Sequence, residues 1–248
     1  MYYIVFDLEL NQDFSSLQNK YTNRASAPFE IIQIGAVKLD WEFNTVDTFD
    51  RYVKPAFYDK ISPFVTGLTG ITTGQLGTEE TFPEVYRQFT EFTGGIGSVF
   101  CVWGSSDVKE LFKNAESHGL STRLLSKKYI NIQPYASLYF NFPVKNLLRL
   151  EHAVQALNLP INHTFHNAFH DACYTAEIFK KIYNSFIQPK VYDPSAIPGR
   201  PPRQPKRSID IEGLARQFEK MYGRELTPEE KSMILLAFKM GKTGQFLK

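Results

Sequence analysis

Apolar residues fall into five short strand-like runs, at 2–10, 30–39 ("EIIQIGAVKL"), 47–54, 98–103 ("SVFCVW") and 129–132. The first three follow one another closely, as the strands of an antiparallel meander do. From residue 80 onward the spacing changes to that of helices, over 82–92, 107–118, 146–157 and 168–186. Strands followed by strand–helix alternation predict an α/β fold, a mixed sheet flanked by helices. Past residue 188 the pattern changes again. "QPKVYDPSAIPGRPPRQPKR" has six prolines between Pro189 and Pro205 and few aliphatic residues, so it can form neither a helix interior nor a central strand. Beyond it, Ile211, Leu214, Phe218 and Met221 share one helix face. A second helix starts with Thr227 as N-cap, Pro228 at the first helical position and Glu230 three residues after the cap. This organisation divides the chain into a domain over 1–188, a proline-rich basic linker over 189–209 and a C-terminal helical pair over 210–248.

The first run poses a problem. "YYIVFDLELNQ" reads as a buried strand, yet it ends in two carboxylates, Asp7 and Glu9, that share a face. Like charges side by side at a strand end repel, and each resists leaving water. Two further acids occur in comparable places. Asp107 follows the apolar run "VFCVW" at a helix start, and Asp171 lies in the first turns of a long helix, five residues after His166. In an open α/β sheet such ends gather at one edge, where ligands bind. Four carboxylates brought together carry a charge of about −4, which two divalent cations neutralise, and hard oxygen ligands suit Mg²⁺ or Mn²⁺. A pair of such ions can clamp the attacking and leaving oxygens of a phosphoryl displacement. Histidine exchanges protons near neutral pH, so His166 could accept one from the attacking water. The chemistry of these residues points to metal-assisted phosphodiester hydrolysis.

"FDLEL", "WGSSDVKEL" and "HNAFHDA" resemble, in order and spacing, the three motifs of the DEDDh exonucleases, the DnaQ-like branch of the ribonuclease H-like superfamily. The last motif fits the His-x₄-Asp variant, since the Tyr-x₃-Asp variant would place tyrosine where Asn167 stands. "GLTGITTGQL" at 67–76 resembles the segment between the first two motifs, and "FDLELNQ" with "LTGIT" is most similar to the Eri-1/KapD-type subgroup, often associated with RNA 3′ ends. The resemblance covers roughly residues 1–186. It implies a ribonuclease H-like sheet and hydrolysis from the 3′ end of single-stranded nucleic acid, RNA favoured over DNA, releasing nucleoside 5′-monophosphates. It also implies that Asp7, Glu9 and Asp171 hold metal directly, that Asp107 helps through water, and that His166 is the base. Substrate contacts would come from the backbone of Leu8 to Leu10, from Asn11 and from Thr69. Many relatives have threonine soon after the first-motif glutamate, where this chain has Leu10 and Asn11. A DNA-directed proofreading or repair nuclease, or an adaptor with weak catalysis, remain alternative readings.

Composition adds three points. No apolar run is long enough to span a bilayer, and no basic-then-apolar leader opens the sequence. With Cys101 and Cys173 in no metal-like spacing, this predicts a cytoplasmic protein with reduced, buried thiols and no membrane partner. The net charge of +2 is unevenly spread: −3 over residues 1–188, +4 over 189–209 and +1 over 210–248. The basic strap reads either as a solvated linker or as a phosphate-binding arm through Arg200, Arg203, Lys206 and Arg207. The stripe Met233, Leu236, Phe238 and Met240 needs burial, against a protein or nucleic-acid partner or against the catalytic domain. His118, His152 and His163 have no partner pattern, and His170 is out of step with the motif. Trp103, Phe100, Phe165 and Phe169 read as core or pocket wall, and Cys173 as core.

Overall fold

The computed structural model describes residues 1–12, 29–142, 147–194 and 210–242, the last stretch with side chains as far as 237. The chain divides into one unit over Met1–Ala196 and a second over Ile197–Lys248.

The first unit begins with strands β1 (Tyr3–Asn11), β2 (Glu30–Leu39) and β3 (Thr45–Tyr52), then helices α1 (Pro63–Thr69), α2 (Thr73–Leu76) and α3 (Phe82–Thr93). Strand β4 (Val99–Val102), helix α4 (Ser106–Ser117), strand β5 (Lys128–Asn131) and helices α5 (Ile132–Tyr139) and α6 (Leu150–Ala156) follow. Helix α7 (Ala168–Ile182) and the two-residue strand β6 (Lys190–Val191) complete it. The sheet order is β3-β2-β1-β4-β5-β6. β2 lies antiparallel between β3 and β1, β4 and β5 run parallel to β1, and β6 closes the edge antiparallel to β5. This is the mixed ribonuclease H-like sheet expected from the sequence. Residues 190 and 191, read as the start of the linker, instead add to the sheet edge.

Strand alternation sends successive side chains of β1 to opposite faces. Ile4, Phe6 and Leu8 pack with α3 and α4, while Tyr3 and Val5 pack with α5, α6 and α7. Both faces are covered, so the middle of β1 is apolar throughout and the polar residues appear only where the helices end. A bulge interrupts the β1–β2 ladder between Glu9 and Leu10: Glu9 pairs with Gln33, but Leu10 pairs with Ile31. Ile32 is thereby turned into a separate apolar cluster with Ile61, Val65, Ile71 and Leu76, beneath α1 and α2. Helices α1, α2 and α5 are absent from the sequence reading. Each has eight residues or fewer, with proline in the first turn of α1 and α5, too short for a helical period to register.

In the second unit α8 (Ile211–Tyr222) and α9 (Pro228–Lys242) form a helical hairpin. The expected capping box closes at the start of α9: Thr227 Oγ1 accepts from Glu230 N at 3.3 Å, and Glu230 Oε2 accepts from Thr227 N at 2.9 Å. Leu214, Phe218, Met233, Ile234 and Ala237 line an apolar groove of about 390 Å³ in this unit. Arg200, Arg203, Lys206 and Arg207, and the side chains of Phe238 and Met240, lie outside the described residues. Among the described residues, no helix is long and apolar enough to cross a membrane.

Candidate metal centre

Asp7 and Glu9 continue the face of β1 that carries Tyr3 and Val5, past the point where α7 covers it. Asp171 comes to them from the first turn of α7. Carboxylate oxygens of Asp7, Glu9 and Asp171 all lie within 4.8 Å of one another. Asp107, in the first turn of α4, is close enough to repel both Asp7 and Glu9. Asp7 is partly exposed, whereas Glu9, Asp107 and Asp171 are buried. Asp7, Glu9 and Asp171 come together, and Asp107 acts on the first two from the start of α4.

Their electrostatics follow from that convergence. Loss of water, then repulsion from Asp107, Asp171 and Glu9, lifts Asp7 well above the usual carboxylate range. Glu9 is pushed up to about 8 by burial and then by Asp171 and Asp107. Burial raises Asp107 to about 7 against the pull of its own backbone N–H, with a smaller push from Glu110. Asp171 rises to about 6, again mainly by burial, because the His166 backbone and charge partly offset it. A buried acid cluster of this kind is costly when ionised and unneutralised.

Two residues of β2 set the position of α7. Gly35 pairs directly with Asp7 in the ladder. A Cβ built on Gly35 would lie 2.1 Å from Phe169 N and 2.2 Å from Ala168 C, so the first turn of α7 rests directly on this strand. Gln33, opposite Glu9 and fully buried, accepts from Ala168 N at 3.2 Å and donates to Asp50 Oδ1 at 2.8 Å. Asn167 caps the helix, its Oδ1 accepting from His170 N at 3.1 Å. These three residues were not singled out from the sequence. The one signal was Gly35 itself, a glycine inside an apolar strand run, which marks close approach of another backbone.

The walls around the acids are tied down by buried polar side chains. Asn114 on α4 accepts from Ile31 N at 3.1 Å and donates to Phe29 O at 2.8 Å, strapping the helix that carries Asp107 to the start of β2. Glu30 accepts from the backbone N–H groups of Ala56, Phe57 and Tyr58. Asn131 Oδ1 accepts from Gly104 N at 3.0 Å, holding the turn that leads into α4.

The remaining predicted residues divide. His166 is exposed and has the left-handed φ of 63°, which directs its backbone N–H to Asp171 Oδ2 at 3.1 Å. The Leu8 side chain is buried in the core, leaving its backbone as the part available for contact, and Leu10 is half-buried. Thr69 spends its hydroxyl closing α1, donating to Val65 O at 2.9 Å and accepting from Ile71 N at 3.1 Å. Asn11 corrects the sequence reading. Its side chain is fully buried, donating to Lys60 O at 3.2 Å and accepting from Ser62 N at 2.9 Å, so it fixes the entry to α1 and has no face for substrate. His118 lies between the rings of Phe57 and Phe82, and His170 stacks on His163 with centroids 4.3 Å apart. Phe100 is core, while Phe165, Phe169 and Cys173 are only partly buried.

The donor set fits a divalent cation. All of its ligand atoms are hard oxygens, three carboxylates converge, and Asp171 Oδ1 is buried with no hydrogen-bond partner among the described residues.

Similarity to characterised proteins agrees with this geometry. The 3′-5′ exoribonuclease 1 of Rattus norvegicus is 27% identical over 164 residues, which is 63% of this chain and 47% of that protein. The chain thus spans about half the length of that curated relative. The probable 3′-5′ exonuclease KapD of Bacillus subtilis is 27% identical over 182 residues, covering 71% of this chain and 83% of its own. Among solved structures, the nuclease domain of 3′hExo, a DEDDh family member bound to rAMP, superimposes with a TM-score of 0.63. That likeness has 21% identity, covers 77% of this chain and 96% of the other, and speaks for the fold. A match to the RNase_T exonuclease family model extends over residues 4–179, from β1 to the end of α7, and with the DEDDh residues in place along it the chain belongs to that family.

Proposed function

We propose that this chain is a two-metal 3′-5′ exonuclease, acting on single-stranded nucleic acid with RNA preferred to DNA and releasing nucleoside 5′-monophosphates. The convergence of Asp7, Glu9 and Asp171, with Asp107 beside them, carries this reading. The preference for RNA draws on the relative named as an exoribonuclease. Asp7, Glu9 and Asp171 would hold the cations directly and Asp107 through water, the ions being Mg²⁺ or Mn²⁺. When bound, such ions neutralise the cluster and stabilise charge on the attacking and leaving oxygens.

The protein's own groups do the rest. The backbone at Leu8 to Leu10 presents the terminal nucleotide to the acids. His166 takes the proton of the attacking water as the phosphorus–oxygen bond to the next 3′ oxygen breaks, and that oxygen is protonated from solvent. The exposure of His166 lets its proton pass to bulk water.

The deciding experiment is Mn²⁺-dependent degradation of matched RNA and DNA strands labelled at either end. Early release of label from the 3′-labelled strand only, faster for RNA, is expected. Release from the 5′ end first, or internal cleavage, would refute the polarity, and faster DNA degradation would refute the sugar preference. For the base, His166→Ala should lower kcat by about 10²–10⁴-fold and flatten the acid limb of the pH–rate profile. The Mn²⁺ concentration giving half-maximal activity should stay within about twofold, since the side chain is not a metal ligand. An unchanged profile removes His166 from that role.

A further inference from the structure

We propose a second nucleic-acid-binding site at the sheet edge opposite the carboxylates, where Arg123, Lys127 and Lys128 grip the phosphate chain of a long substrate. The choice of ligand rests on the nuclease reading; the site itself does not.

β4 and β5 run parallel to β1. Their C-terminal ends therefore reach the edge that carries the acids, and their N-terminal ends form the other edge. At that far edge lies a hollow of about 450 Å³, lined by Arg123, Lys127 and Lys128 around Ile96, Leu125 and Val191. Among the described residues, three cations and no carboxylate line it. None of the three forms an ion pair with a described carboxylate. Ile96 and Val191 are 69% and 71% exposed, so the apolar floor is open rather than core. Lys190, beside Val191 on β6, is exposed and adds a fourth positive charge nearby.

The sequence around the hollow has the same bias. From Ser117 to Leu150 there are five basic residues and not one Asp or Glu, within a body whose first 188 residues carry −3. This acid-free stretch contains the whole of β5. Lys128 opens that strand at the hollow, and Asn131 closes it while holding the turn into Asp107's helix. The two ends are about 10 Å apart at the rise of a β-strand. A strand whose 3′ end lies on the acid cluster meets no carboxylate from this stretch before reaching the cations. Cations answer the acids at one end, while the hollow answers the phosphates beyond them. A phosphate on every nucleotide supplies closely repeated charge for three neighbouring cations, and the aliphatic floor gives bases and sugars an apolar surface without selecting a sequence.

The test uses the full chain with R123Q/K127Q/K128Q, a triple change of exposed side chains. Metal-free binding of a labelled oligoadenylate of about 30 nucleotides is measured by anisotropy in EDTA over a KCl series. Each phosphate contact to a single strand contributes about −0.7 to the slope of log K against log salt. The variant should bind at least about fivefold more weakly at low salt, with a slope shallower by about two. With Mn²⁺, kcat/KM on a dinucleotide, whose single phosphodiester lies at the acids, should match wild type within about twofold. Unchanged affinity and slope on the long strand would overturn the proposal, as would equal loss of activity on short and long substrates. Binding of a labelled polyglutamate peptide that the oligonucleotide cannot displace would also overturn it, in favour of an acidic protein partner. If no nucleic acid is cleaved but the binding difference persists, the hollow stands and the nuclease reading falls.

Discussion

Asp7→Asn is expected to abolish turnover, by at least about 10³-fold, while raising the melting temperature of the metal-free protein near pH 8. The activity loss follows from removing one of three converging oxygen ligands. The stability gain follows from the raised ionisation of the cluster. A carboxyl whose folded value lies above its unfolded one holds its proton more tightly when folded, so folding is most favoured at low pH and loses ground as pH rises. For Asp171, Asp107 and Glu9 the folded values are about 6, 7 and 8. The metal-free protein should thus lose stability progressively from about pH 4 to about pH 8. Asparagine at position 7 removes a carboxyl that gives up its proton far less readily in the folded protein than in the unfolded chain. In EDTA the variant should melt higher near pH 8, by about 2–4 °C for each kcal/mol of repulsion relieved, and the gap should close toward pH 4. Saturating Mn²⁺ should reverse the order, because a cation that binds only the folded form stabilises the better ligand set. A variant that melts lower than wild type in EDTA near pH 8 would show that the acids do not repel one another there.

Gly35→Ala should be the most damaging single methyl group that can be added to the sheet. The atoms it would strike, Phe169 N and Ala168 C, are backbone, and no rotamer change relieves a 2.1 Å approach. Either the strand or the first turn of α7 must move. Overpacking of this kind costs about 3 kcal/mol or more. The displaced turn carries Asp171 and its bond from His166, so activity should fall with stability and should not recover at raised Mn²⁺. Gly67→Ala is the matched control: this glycine lies within α1 with nothing within 4 Å of the added atom. Alanine there should be neutral or stabilising by up to about 1 kcal/mol. Urea unfolding of both variants checks the pair, and equal stability would mean that α7 does not rest on β2.

What the sequence disclosed about this site depended on how locally each residue is determined. Asp7 and Glu9 are legible because two acids closing an apolar strand have no structural reason to be there. Asp107 and Asp171 are legible because each opens a helix at a recognisable distance from an apolar run. Gln33 does its work through Ala168, 135 residues away. No local pattern encodes such a contact, which arises only once the sheet has brought β2 under α7. Asn11 misled for the same reason. Its place two residues after Glu9 looked like a place at the cleft, yet its side chain is satisfied by Lys60 and Ser62, beyond two further strands. Lys190 and Val191 were lost to the proline-rich run that follows them, since two residues cannot show alternation.

The bulge between Glu9 and Leu10 constrains how this protein can diverge. Deleting a residue is often tolerated at a strand end, because the ladder simply re-forms one step along. Here deletion of Ile32 would restore a regular ladder with Ile31 and Glu30 still in place. It would also strip the apolar cluster beneath α1 and α2 of Ile32, its fully buried residue from the sheet. Descendants of this sequence can exchange residues in that stretch more readily than they can shorten it. A homologue lacking the extra residue should have rebuilt the whole segment between Ile61 and Leu76.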